Sequence, residues 1–193
     1  MAGVGATYWG EVIGSASLND DADFGITAFT TQVAEVSVDV ETGQVRLLKL
    51  TTAHDTGRIL NSQGHQGQIN GAAVQGMGYA LMEELLSESS DGHVTTLSFA
   101  DYKIPSYGDL FDLQTVLLEP ATGIGPLGVK GIAENASTPV AAAIANAIDD
   151  ACGLRVFGLP LTAERVYRAL RQRDESVRST RIRRQENNYD VIA

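Results

Sequence analysis

A chain of 193 residues, 44% hydrophobic and 20% charged, has the make-up of one globular domain, or one and a half, and not of a disordered or fibrous protein. Its net charge of −10 is unevenly spread: residues 1–164 hold 20 acidic and 6 basic side chains, residues 165–193 hold 4 and 8, so the body lacks the basic surface that nucleic acid requires. The single cysteine, Cys152, excludes an internal disulfide and a four-thiolate zinc or iron–sulfur centre, and no run reaches the ~18 apolar residues of a membrane span.

The opening, Met1-Ala-Gly-Val-Gly, shows neither a basic nor an apolar signal region, so a cytoplasmic location is expected. Residues 1–23, rich in Gly, Ser, Asn and Asp, read as a linker leading into a domain over 24–170. Residues 171–193 form a charged tail. Its arginines (Arg171, Arg173, Arg178, Arg181, Arg183 and Arg184) suit either a solvated helix end or an acidic partner.

From Thr27 to Asp55 the pattern has period two. Ala34, Val36, Val38 and Val40 alternate with Glu35, Ser37 and Asp39, Glu41-Thr42-Gly43 supplies a turn, and Val45 to Thr52 returns: a hairpin. From Ser62 the period becomes helical through Ile69, Ala73, Met77, Ala80, Leu81 and Leu85. Gly67, Gly71, Gly76 and Gly78 interrupt this helix, each costing about 1 kcal/mol against alanine. Something must approach the backbone there, either a second helix or a ligand.

Val94 to Phe99 and Leu113 to Leu118 read as strands, separated at Ile104-Pro105, where the residue before proline leaves the helical region. Thr122 to Gly131, with four glycines, is a loop. Thr138 as N-cap, Pro139 at the first helical position and Gly153 as the stop bracket another helix, buried through Val140, Ile144, Ala147, Ile148 and Ala151. A last helix starts near Thr162, using Ala163, Val166, Tyr167 and Leu170. Strand and helix blocks without βαβ regularity give an α+β fold: a hairpin and mixed strands packed with three main helices.

Metal-ligand spacing is absent among His54, His65 and His93, so no residue is expected to ligate a metal; the histidines read as structural. A Gly-x-Ser-x-Gly elbow, a P-loop and the dinucleotide fingerprint are missing as well. Two segments remain. Gly64 to Gly78 opens a glycine-rich helix whose free N–H groups favour an anion, with the Gln68 amide adding a hydrogen bond. Gly128-Val-Lys-Gly-Ile-Ala-Glu134 places one carboxylate between loop and helix, with Lys130 four residues earlier. Glu134 is then a helix-entry charge or a general base.

Seven motifs in order resemble the C-terminal part of the molybdenum-binding subunit of the xanthine dehydrogenase and aldehyde oxidase family. They are Val-Asp-Val-Glu-Thr-Gly-Gln-Val at 38–45, Ala-His-Asp-Thr-Gly-Arg-Ile-Leu-Asn at 53–61, Gly-Gln-x-x-Gly-Ala-x-x-Gln-Gly at 67–76, Asp-Tyr-Lys-Ile-Pro at 101–105, Gly-Val-Lys-Gly-Ile-Ala-Glu at 128–134, Ala-Ile-Ala-Asn-Ala-Ile at 143–148 and Leu-Pro-Leu-Thr-Ala-Glu-Arg at 159–165. The resemblance implies part of a larger molybdenum-binding domain in a hydroxylase that inserts water-derived oxygen into an N-heterocycle, such as a purine, or an aldehyde. Glu134 matches the family's base. Gln68 matches a molybdopterin contact, and the resemblance extends cofactor binding to Gly67, Lys130, Gly131 and Ala133, the last standing where the family has glycine. The implied cofactor is molybdenum–molybdopterin in its cytosine dinucleotide form. The resemblance also implies partners: a companion molybdenum-subunit chain, an iron–sulfur subunit with [2Fe–2S] and an FAD subunit. A non-catalytic assembly module of such a complex is the alternative.

Overall fold

The computed structural model describes residues 27–120 and 126–189, with backbone alone beyond 176. The linker assigned to 1–23, part of the glycine loop and the side chains of Arg178, Arg181, Arg183 and Arg184 lie outside that description. The elements form an α+β unit in which a mixed three-stranded sheet, ordered β1-β2-β3, is covered by helices.

Strands β1 (Thr30–Val38) and β2 (Val45–Asp55) pair antiparallel, with Thr30 opposite His54 and Val38 opposite Val45. The turn follows the expected chemistry: Asp39 Oδ1 accepts from the Glu41 amide at 2.9 Å, and Gly43 takes a φ of 76°. A Cβ on Gly43 would lie 2.2 Å from the Ala163 carbonyl, so glycine is required there twice over. Alternation along β1 holds through Val38 but not Val40, which sits beyond the strand and is exposed. β2 runs three residues past Thr52 because β3 (Asp112–Leu118) pairs parallel with it from Lys49 to Asp55. Parallel neighbours need a crossover, and α1 (Ser62–Leu81) lies within it.

Asn61 starts α1, its Oδ1 accepting from the Gly64 amide at 2.9 Å. Ile69, Ala73, Met77 and Ala80 are buried as their spacing predicts, whereas Leu85 lies past the end of the helix and is exposed. The Val94–Phe99 strand does not form: Val94 makes a single bridge to Ser87, and Leu97 and Phe99 are exposed. Among the described residues, alternation has no neighbouring strand to satisfy it.

Thr138 is not an N-cap. Both Thr138 and Pro139 are helical, because a short helix, α2 (Ala133–Ser137), precedes α3 (Val140–Cys152), and the Thr138 hydroxyl donates instead to the Glu134 carbonyl at 3.2 Å. Gly153 ends α3 as predicted, at φ 64°, while Ala151 is exposed. Helix α4 (Ala163–Tyr189) buries Val166 and Leu170, then continues beyond its apolar stripe. The core joins Leu47 and Leu50 of β2, Met77 and Ala80 of α1, and Ile144 and Ile148 of α3, with α3 resting on β1.

Candidate cofactor site

One face of α1 and the start of α2 enclose an open hollow of about 480 Å³, lined by Gly67, Gln68, Gly71, Ala72, Gln75, Ala133, Glu134 and Ser137. Positions 68, 71, 72 and 75 recur at helical spacing and so share a stripe. Glu134, the second residue of α2, is exposed, and no described side chain pairs with its carboxylate. Ala133 needs no glycine-like conformation, since Leu127 alone among the described non-glycine residues has positive φ. The free N–H groups expected along 64–78 are not what faces the hollow. Gly67 and Gln68 lie in the second turn, where helix hydrogen bonds consume the amides, so the amides that line the hollow are the side-chain amides of Gln68 and Gln75.

Beyond Gly64, which packs beside its cap Asn61, the other four glycines of α1 divide into two pairs. Cβ atoms on Gly76 and Gly78 would stand 2.5 Å from Val140 and 2.9 Å from Pro105, so these two serve packing. Gly67 and Gly71 have no atom within 4 Å of such a Cβ. Nothing among the described residues explains their cost to the helix. Gly71→Ala is therefore expected to raise stability by about 1 kcal/mol through helix propensity. Gly76→Ala is expected to lower it by about 1–3 kcal/mol, because buried Val140 cannot yield. Denaturant unfolding of the two variants checks both signs.

Lys130 and Gly131 do not line the hollow. The Lys130 ammonium donates to Asp55 Oδ2 at 2.6 Å and to the Thr27 carbonyl at 3.0 Å, with both members of the ion pair nearly enclosed. Around this pair the Lys130 amide donates to the Thr56 carbonyl at 3.1 Å, and the Arg58 amide to the Gly128 carbonyl at 2.8 Å. Gly57, at φ 59°, permits the approach: its Cβ would lie 2.4 Å from the Gly128 carbonyl. Motifs 53–61 and 128–134 thus interlock just before α2. The hydrogen bond from Lys130 holds the Asp55 carboxyl below its ordinary range.

His54 faces the core between two hydroxyls, with Thr52 Oγ1 at 2.7 Å and Thr30 Oγ1 at 3.2 Å, and burial lowers its pKa. The unfolded chain takes up a proton near pH 6.5 that the folded chain resists, so stability is full above about pH 6.5 and is lost as pH falls below it. Thermal unfolding between pH 7.5 and 5 should show this slope. His54→Gln should flatten it.

Sequence reasoning marked Gly71 only as a place of close approach, and it missed Ala72, Gln75 and Ser137 as lining residues and Asn61 as the cap of α1. The signal was present, since 71, 72 and 75 lie three, four and seven residues beyond Gln68. Among the described residues, no group of three His, Cys, Asp or Glu is placed to hold a metal, and no helix is long and apolar enough to cross a membrane.

A bare-faced helix set against a carboxylate on an adjoining short helix borders an open hollow that side-chain amides line. The chain belongs to the molybdopterin cofactor-binding domain family, which matches residues 5–111, including β1, β2 and α1. It is 40% identical over 138 residues to the 6-hydroxypseudooxynicotine dehydrogenase complex subunit gamma of Paenarthrobacter nicotinovorans, covering 70% of this chain and 17% of that one. It is 35% identical over 140 residues to the putative xanthine dehydrogenase molybdenum-binding subunit of Escherichia coli, covering 72% and 19%. Among solved structures, the aldehyde oxidoreductase from Desulfovibrio gigas aligns with a TM-score of 0.68 and 32% identity, over 75% of this chain and 15% of that one. The chain thus spans less than a fifth of the length of these proteins. The residues present fit a molybdopterin: two bare glycines admit a planar group, and the Gln68 and Gln75 amides offer it donors and acceptors.

Proposed function

We propose that this chain forms one wall of a molybdenum–molybdopterin site in a multi-subunit hydroxylase, with Glu134 as general base. The observation that carries this reading is the meeting of the unexplained glycine face of α1 with the Glu134 carboxylate in one hollow. When bound, the cofactor supplies the oxygen-transfer and electron-accepting chemistry. Gln68 and Gln75 would hold its polar groups, Gly67 and Gly71 would let it approach the helix, and Ala133 would border it, with Gly131 outside the hollow. Lys130 contributes by fixing the loop through Asp55. Glu134 would accept, at a carboxylate oxygen, the proton of the water-derived hydroxyl that attacks the substrate carbon.

The hollow is open among the described residues, and the proposed companion chain would cover it and keep bulk water from the base. An N-heterocycle such as a purine is the proposed substrate, in keeping with the xanthine named for the Escherichia coli relative. The cytosine dinucleotide form is the proposed cofactor. [2Fe–2S] and FAD, proposed to lie on partner subunits, would carry the electrons away. Gly71→Leu tests the proposal: leucine suits an exposed helix position, so the chain should fold while the purified complex loses most of its molybdenum and pterin. Full metal and pterin content with normal turnover would overturn it.

A further inference from the structure

The five-residue helix α2 that carries Glu134 is too short to hold itself, since almost all its backbone groups are terminal. Pro139 aggravates this, because it has no N–H to return to the carbonyl four residues earlier. Yet the last carbonyls of α2 have donors. Ser137 Oγ and Thr138 Oγ1 reach the Glu134 carbonyl at 2.9 and 3.2 Å. The remaining two donors come from elements far away in sequence. Gln32 Nε2 of β1 donates to the Ala136 carbonyl at 2.8 Å, and Tyr79 Oη of α1 to the Ser137 carbonyl at 2.5 Å.

Gln32 is itself held: its Nε2 also reaches Thr52 Oγ1 at 3.1 Å, and Thr52 is bonded to His54. Its Oε1 is buried with no partner, so both of its hydrogen bonds run through the donor. Ala136 is fully buried against Ile69 and Ala72, which closes the remaining side of α2. We infer that Gln32 and Tyr79 are positioning residues: a two-donor clamp from sheet and helix that fixes α2 and so aims the Glu134 carboxylate into the hollow. This rests on Glu134 being the base.

Two near-isosteric variants test it in the assembled complex: Tyr79→Phe, which removes one hydroxyl, and Gln32→Met, which removes the donor and keeps the volume. Each should speed amide exchange across residues 133–137 about tenfold, the worth of one hydrogen bond, while α3 stays protected. Turnover should fall severalfold with KM within about twofold and cofactor content unchanged, a split that general loss of structure would not produce. Unchanged exchange across α2 in both variants would overturn the clamp. So would faster exchange with normal turnover, provided Glu134→Gln is inactive. If Glu134→Gln is fully active, the base assignment fails by itself, and exchange across α2 still decides whether the clamp exists.

Discussion

Glu134→Gln is expected to lower turnover of the assembled complex by about 10²–10⁴-fold, the usual contribution of a general base. Glutamine has the same shape, and no described side chain pairs with the native carboxylate, so folding, assembly and molybdenum content should be preserved. The competing role is that of a helix-entry charge, worth about 0.3–1 kcal/mol to a helix end. In that role the substitution would shift stability slightly and leave turnover alone. Single-turnover kinetics with metal analysis of the same sample separates the two. Normal hydroxylation at full metal content would remove Glu134 from the chemistry.

Lys130→Met is expected to destabilise the chain by about 3 kcal/mol, the lower end of the range for breaking an enclosed ion pair. The pair is short and nearly shut off from solvent, and it stands at the domain edge, which argues for the lower figure. Most of the penalty comes from leaving Asp55 charged and uncompensated. Asp55→Asn in the same chain should therefore restore part of the loss, a coupling that a double-mutant cycle reads directly. The pair's contribution has a definite pH dependence. Asp55 is held below its ordinary range near 3.9, so the stability it brings is present above that value and disappears as pH falls through the lowered folded value. The variant should lose cofactor only in proportion to the disorder of the loop, since Lys130 does not line the hollow.

Much of the architecture is legible locally. Alternation at Ala34, Val36 and Val38, a glycine at 43 and apolar returns through Leu47 and Leu50 specify the hairpin, because strand faces and turns are written in neighbouring residues. The buried faces of α1 and α3 follow from spacing for the same reason, as does the stop at Gly153. The failures are also local in origin. Val94–Phe99 alternates like a strand, but alternation cannot report that no partner strand is available. Thr138-Pro139 has the form of a helix start, yet the five residues of α2 before it make it a junction.

The candidate site was half legible. Gln68 and Glu134 stand out through their motifs, and the structure brings both to the same hollow. Lys130 stands out too, but its direction depends on Asp55, 75 residues earlier, and that partner exists only once β2 and the loop before α2 have met. Gln32 and Tyr79 carry no signal at all, being an ordinary strand glutamine and an ordinary helix tyrosine until the fold sets both beside α2.

A length of 193 residues suits one domain, and the sequence alone determined its periodic elements, its acidic body and the presence of two cofactor-type motifs. Only the tertiary structure decided what the glycines of α1 are for. Local sequence shows that four positions past the first turn of α1 lack side chains, each at a similar cost. Which of them meet Val140 or Pro105, and which open on the space before Glu134, depends on atoms brought in from more than 25 residues away.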